Sequence, residues 1–254
     1  MSAQAPLGVN TPRAKVSQPV RASAQLPAAP AITSAASANA QVGVAFTYQI
    51  VASNGPILSY AANLKQLPVG LALNTATGAI TGTPTTTVGS PFSVTIGATN
   101  AGGTGTATLV FTVGKASQTI TFGTLANKTY GAASFSVAAT ASSSLTPSYS
   151  IVSGPATLSG STVTLTGAGT VVVRTSQAGD GNFTAATPVD QSFTVAKATL
   201  TVTADAKSRV YGAANPALTA TLTGYVNSET STVISGAAAV TTAATTTSTV
   251  GDYA

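Results

Sequence analysis

The stretch Leu67-Pro-Val-Gly-Leu-Ala-Leu-Asn-Thr-Ala-Thr-Gly-Ala-Ile-Thr-Gly-Thr-Pro84, with the run Pro91–Thr99 behind it, decides how this chain folds. Two short apolar segments, Gly70–Leu73 and Ala79–Gly82, flank Asn74-Thr-Ala-Thr-Gly78. Asn and Gly at the ends of that linker tolerate the backbone angles of a tight reversal, so the pattern predicts a hairpin. In the following run Phe92, Val94, Ile96 and Ala98 alternate with Ser93, Thr95, Gly97 and Thr99. A period of two puts one set on an apolar face and the other in water. Such a face needs a second sheet to cover it.

Outward from this centre, Ala31–Thr33, Ala45–Val51, Ile57–Ala61 and Gly105–Val113 complete a set of about seven short strands separated by Gly, Pro or Asn, the pattern of a β-sandwich. Phe46, Tyr48 and Ile50 supply one inner face, and Leu109, Phe111 and Val113 another. With no Trp and no Cys, Phe, Tyr and Leu must pin the core.

A repeat follows. Phe111-Thr-Val-Gly-Lys-Ala116 recurs 82 residues later as Phe193-Thr-Val-Ala-Lys-Ala198, and Tyr130-Gly-Ala-Ala133 recurs 81 residues later as Tyr211-Gly-Ala-Ala214. A period of that size means tandem domains, longer than the repeats of solenoids. Residues 30–114, 115–196 and 197–254 are therefore expected to be successive modules with almost no linker between them. Strands are expected in the second at Gln118–Phe122, Ser134–Ala139, Pro147–Val152, Ala156–Leu158, Thr162–Thr166, Gly169–Thr175 and Gln191–Val195. The third has 58 residues where the second has 82, and it is expected to be an incomplete sandwich with open strand edges. Residues 1–29, rich in Ala, Pro, Ser and Gln, read as a disordered linker.

Gln41-Val-Gly-Val-Ala-Phe-Thr-Tyr-Gln-Ile50, Leu67-Pro-Val-Gly-Leu-Ala-Leu73, Ala76–Pro84 and Ala98-Thr-Asn-Ala-Gly-Gly103 resemble the immunoglobulin-like modules of bacterial surface proteins, a family related in fold to cadherin-like and dystroglycan-type domains. That likeness covers about residues 30–114. Gly169–Thr184, Gln191–Ala198 and Lys207-Ser-Arg-Val-Tyr-Gly-Ala-Ala-Asn-Pro-Ala-Leu-Thr219 are similar to the mostly bacterial immunoglobulin-like MBG repeats, over about residues 117–254. Together they imply an all-β fold of tandem immunoglobulin-like β-sandwiches, the last one incomplete, in an exported protein.

Composition narrows the function. Charged residues are 6% of the chain, against about 25% in ordinary soluble domains. Thr and Ser on outward strand faces satisfy strand geometry and water together, whereas long amphipathic helices would need charged faces. The net charge is +5, and Arg13, Lys15 and Arg21 fall in the amino-terminal stretch. Three spread bases are sparse beside a nucleic-acid-binding arm, so no nucleic-acid partner is expected. The absence of Cys excludes disulfides and thiolate metal sites. No run reaches the roughly 18 apolar residues of a membrane span. The first ten residues do not form a secretory signal, so export information is expected outside this chain or in a longer protein of which it is a piece.

Chemistry is scarce. Without His or Cys there are no Ser-His or Cys-His pairs, and the carboxylates are Asp180, Asp190, Asp205, Glu229 and Asp252. Asp180-Gly181-Asn182 reads first as a turn. Calcium, which the cadherin-like resemblance implies, takes six to eight oxygens, several from carboxylates. Residues 30–114 hold no acid, so the acid content does not support such a site. Asp180, Asn182 and Asp190 are the cluster from which one would start. A lysine–asparagine cross-link of the kind some bacterial surface sandwiches carry would draw on Lys128 or Lys197 with Asn182 and Asp190. Sugar-binding sandwiches stack aromatic rings on the ligand, and Tyr60 and Tyr225 are the aromatics to examine for that.

No catalytic, cofactor or metal site is assigned. The expected function is a non-enzymatic structural or adhesive segment, stalk or binding surface, of a large bacterial surface protein outside the cell. Its partners would be other modules of the same chain and a cell-surface protein or glycan. The alternative is an accessory or carbohydrate-binding linker module of an extracellular carbohydrate-active enzyme.

Overall fold

Asn74 makes the turn that its position predicts. In the computed structural model, which describes residues 1–4, 8 and 25–253, the Asn74 Oδ1 accepts the N–H groups of Ala76 and Thr77 at 3.0 and 3.1 Å. Gly78, at φ +76°, donates its N–H to the Asn74 carbonyl at 2.8 Å. Asx capping at one end and a left-handed glycine at the other close the reversal without strain. The linker expected over residues 1–29, with Arg13, Lys15 and Arg21, falls for the most part outside the described residues.

The chain divides into two units, Met1–Ala38 with Ala45–Gly82 and Pro91–Thr112, and Asn39–Val44 with Thr83–Ser90 and Val113–Ala254. The strands around the first are β1 (Ser37–Gln41), β2 (Phe46–Gln49), β3 (Ser59–Ala62), β4 (Leu71–Leu73), β5 (Ala79–Gly82), β6 (Phe92–Asn100) and β7 (Gly103–Gly114). One sheet runs β1-β7-β6-β3 and the other β2-β5-β4. The longest ladder is the β6–β7 hairpin, in register from Phe92 opposite Phe111 to Asn100 opposite Gly103. Alternation along β6 is as read in its first half, with Val94, Ile96 and Ala98 buried and Ser93 and Thr95 exposed, whereas Gly97, expected on the outer face, is buried. Ile50, Leu67, Ile80, Val94, Ile96, Leu109 and Phe111 form the buried cluster. Phe111 receives Phe46 and Tyr48 edge-on, with centroids 5.5 and 6.2 Å away. Each such fully buried side chain is worth about 1.5–3 kcal/mol relative to exposure.

Segment 27–30 is seated on the β6–β7 turn. Asn100, a buried amide, donates from Nδ2 to the carbonyls of Ala28 at 2.8 Å and Asn54 at 2.6 Å, and accepts the Gly102 N–H at 2.8 Å. The carbonyls of Pro27 and Pro30 occupy the space that a Cβ on Gly102 or Gly105 would need. The glycine-rich run Ala101–Gly105 is therefore a hairpin end over which another backbone passes.

The second unit contains β8 (Ile120–Phe122), β9 (Lys128–Thr129), β10 (Phe135–Ser136), β11 (Ala139–Ala141), β12 (Ser148–Ser153), β13 (Ala156–Ser159), β14 (Thr162–Leu165), β15 (Gly169–Ser176) and β16 (Val189–Ala196). Its sheets are β12-β15-β16-β9, β10-β14-β13 and β11-β8. Phe122, Val137, Val163, Leu165, Val171, Val173, Phe193 and Val195 form its core, with Phe135 edge-on to Phe193 at 5.6 Å. The single strand expected over Ser134–Ala139 is two. Chain direction changes sheet at Val137, so β10 pairs with β14 and β11 with β8. Two bonds hold the crossing: Val137 N–H donates to the Ser161 carbonyl at 2.9 Å, and Ala139 N–H to the Tyr149 hydroxyl at 2.7 Å.

Beyond Lys197 the described strands are β17 (Thr201–Ala204) and β18 (Ala220–Thr223), an antiparallel pair, with one 3-10 turn at Ser231–Val233. All four residues of β17 are exposed. Loop 207–216 is tied to segment 244–246: Gly212 N–H donates to the Thr246 carbonyl at 3.2 Å, Asn215 Nδ2 to the Ala244 carbonyl at 2.7 Å, and Arg209 to the Thr245 carbonyl.

Candidate functional site

The three residues of the calcium expectation have separate partners. Asp180 caps its own turn, with Oδ1 accepting the N–H groups of Asn182 and Phe183 at 2.8 Å each. Asn182, half-buried, turns its Oδ1 to the Thr87 N–H at 2.9 Å, while the Thr87 hydroxyl donates to the Gly181 carbonyl at 2.8 Å and Lys115 Nζ to the Asp180 carbonyl at 2.6 Å. All of these lie within the second unit. The turn is thus a clasp for segment Thr83–Ser90, a role that sequence spacing over 95 residues does not disclose.

Asp190, on β16, sits opposite Arg174 on β15 and takes a two-pronged ion pair from its guanidinium, Nε and Nη2 at 2.8 Å from the two carboxylate oxygens. The hydrogen bond from Arg174 holds the Asp190 carboxyl below the ordinary aspartate range, and Asp190 in turn raises Arg174. Both side chains are exposed, so the pair adds little to stability. Asp205 accepts the hydroxyls of Thr219 and Thr221 at 2.5 and 2.6 Å, which likewise lower it. Glu229 accepts the Tyr130 hydroxyl at 2.8 Å. Among the described residues no three of His, Cys, Asp and Glu gather into a metal-binding group.

No hydrogen bond joins Lys128 or Lys197 to Asn182 among the described residues. Lys128 Nζ instead stands 4.9 Å from the centre of the Phe135 ring, a cation–π contact on the edge of the core. Neither aromatic flagged for sugar stacking is a free platform. The Tyr60 ring lies so close over Gly78 that a Cβ there would be 2.8 Å from it, and Tyr225 is half-buried. The exposed tyrosines are Tyr211 and Tyr253. Sequence reasoning missed Tyr130 with Glu229 and Gly131 beneath Val226, although the recurrence of Tyr-Gly-Ala-Ala marked the turn on which two of them sit.

Residues 29–114 match the family model described as "Putative Ig domain", and residues 200–254 match the MBG domain of the YGX type. No curated protein matches the chain. Among solved structures, human protocadherin-24 EC1-2 is 18% identical over 67% of this chain and 99% of its own length, at a TM-score of 0.37. Titin domains Z1Z2 in complex with telethonin are 16% identical over 67% of this chain and 98% of theirs, at 0.38. A putative alpha-galactosidase of Bacteroides fragilis is 24% identical over 42% of this chain, at 0.31, and the match spans 21% of the galactosidase. No helix among the described residues is long and apolar enough to cross a membrane. The strands, the two sandwiched cores and the family models agree on the fold: this is an all-β chain of immunoglobulin-like sandwiches, with residues 29–114 similar to the Ig-domain family and residues 200–254 similar to the MBG family.

Proposed function

We propose that the chain is a tandem array of immunoglobulin-like modules, at 30–114, 115–196 and 197–254, serving as stalk or contact surface of an exported bacterial surface protein. The observation that supports this most is the disposition of ionisable groups. Asp180 caps a turn, Asp190 pairs with Arg174, Asp205 binds two threonines and Glu229 a tyrosine. Four of the five acids are spent on holding strands and turns together, and many outward strand positions are Thr and Ser, such as Ser93, Thr95, Thr106 and Thr108. The MBG match at 200–254 and the 81-residue recurrence of Tyr-Gly-Ala-Ala extend the same reading to 115–196.

Force–extension measurement on the full chain tests it. A module of about 80 residues releases about 28 nm of chain when it unfolds. Two separate steps of about that length are expected, from 30–114 and 115–196, with at most a low-force event from 197–254. One joint step for the whole chain, or turnover of a glycoside panel by the purified protein, would overturn the reading.

A further inference from the structure

The phrase Tyr-Gly-Ala-Ala builds the same turn at both of its occurrences. Ala132 N–H donates to the Thr129 carbonyl at 3.0 Å, and Ala213 N–H to the Val210 carbonyl at 3.2 Å. Gly131 lies at φ +94° and Gly212 at +82°, in the left-handed region that glycine enters freely.

What faces the two turns differs. At the first, Val226 fills the space above Gly131 so closely that a Cβ there would stand 2.6 Å from the Val226 side chain. The Tyr130 hydroxyl donates to Glu229 Oε1 at 2.8 Å. Val226 and Glu229 present themselves together because their own segment turns between them, with the Glu229 N–H donating to the Val226 carbonyl at 2.9 Å and Asn227 and Ser228 at positive φ. An apolar knob enters the gap left by glycine, and a carboxylate three residues on is read by the tyrosine. At the second turn nothing lies within 4 Å of a Cβ built on Gly212, and Tyr211 is 69% exposed. Tyr211 stands at the rim of a cleft of about 490 Å3 whose walls include Arg209, Asn215 and Tyr253.

We propose that Tyr211-Gly212 is a second socket of this kind, and that its occupant is a Val226–Glu229-type turn on another module of the same family. The inference rests on the array reading above and names the coupling between modules. Socket and turn are different surfaces, so the contact is head-to-tail and can repeat without closing.

The test is a titration of the full chain with a cyclised peptide of residues 222–232, followed by backbone amide NMR; cyclisation holds the turn and lowers the ordering cost of binding. Shifts are expected at Tyr211–Ala214 and not at Tyr130–Ala133, which is already filled. Affinity should fall about tenfold for the Glu229→Gln peptide, the scale of one lost charged hydrogen bond, and vanish for a Tyr211→Ala chain, whose exposed site puts folding at no risk. Shifts that are absent, or that survive Tyr211→Ala, overturn the socket. A second arm uses a Gly131→Val chain, in which the filled socket is blocked and its turn released. It should self-associate with rising concentration in sedimentation, and Tyr211→Ala in the same chain should abolish this; a monomer at every concentration also overturns the socket. Separate unfolding steps without peptide binding would leave the array standing and remove only the socket.

Discussion

Gly169–Ser176 and Thr201–Ala204 are both strands rich in Val and Thr, and the molecule treats them oppositely. In β15, Val171 and Val173 are fully buried, with Phe193 beside them in the same sheet and Val163 and Leu165 of the other sheet in the same core, and Arg174 and Thr170 face water. In β17 all four residues are exposed, Val202 to 55%. Both strands are paired, β15 with two neighbours and β17 with one. Alternation in sequence therefore states which face would be apolar, whereas burial requires a second layer to cover it. A two-stranded ribbon alone is at best marginally stable.

Truncating the largest side chain of that core face is the strongest way to break this contrast. Phe193→Ala should lower the unfolding free energy by about 3–5 kcal/mol, while Val202→Ala should stay within about 0.5 kcal/mol. Denaturant titration of each variant gives both numbers, and similar losses would contradict the comparison. Next in size is amide exchange: β17 and β18 should exchange at least about 100-fold faster than β15 and β16, because they open locally without unfolding a core. A hairpin as slow as the sheet would mean that something covers it.

The two Tyr-Gly turns sharpen the same point at single residues. Gly212→Ala should cost about 1–2 kcal/mol, the left-handed penalty alone, and Gly131→Ala more, since its new methyl also meets Val226. Equal losses would mean that Val226 yields without cost.

Acid comes next. Asp190 and Asp205 are each held below the ordinary range by hydrogen bonds, from Arg174 and from Thr219 and Thr221. A carboxylate lowered in the folded state adds stability that is present above its unfolded pKa of about 3.9 and lost as pH falls through the folded value. Both groups are solvent-exposed, so the effect is small. Between about pH 6 and about pH 2, Thr219 and Thr221 amide signals should move toward unfolded positions before those of β15, which has a core to hold it. The smallest effect belongs to calcium. With Asp180, Asn182 and Asp190 each engaged elsewhere, millimolar calcium should leave the melting temperature unchanged, and a rise would restore the metal reading.

Legibility followed the same rule. The Leu71–Gly82 hairpin could be read because Asn74 and Gly78 carry their turn chemistry locally, and β6 because its large apolar residues fall on every second position. Strand β1, Ser-Ala-Asn-Ala-Gln, has no such contrast and went unread; it is a sheet edge whose residues alternate only between exposed and half-buried. Ser134–Ala139 carried the right alternation but not the change of sheet at Val137, which depends on Ser161 and Tyr149. The pairs Thr87 with Asn182 and Tyr130 with Glu229 join residues 95 and 99 positions apart, and no local pattern announces them.

The seat of segment 27–30 has a mechanical side. A pull along those residues loads the Asn100 amide, with its bonds to Ala28 and Asn54, ahead of the nine-rung β6–β7 ladder. That amide and the Asn54 amide, which donates to the Ala29 carbonyl at 3.0 Å, yield before nine rungs shear together. The entering segment thus behaves as a weak fuse, lengthening under strain while the sandwich behind it keeps its shape.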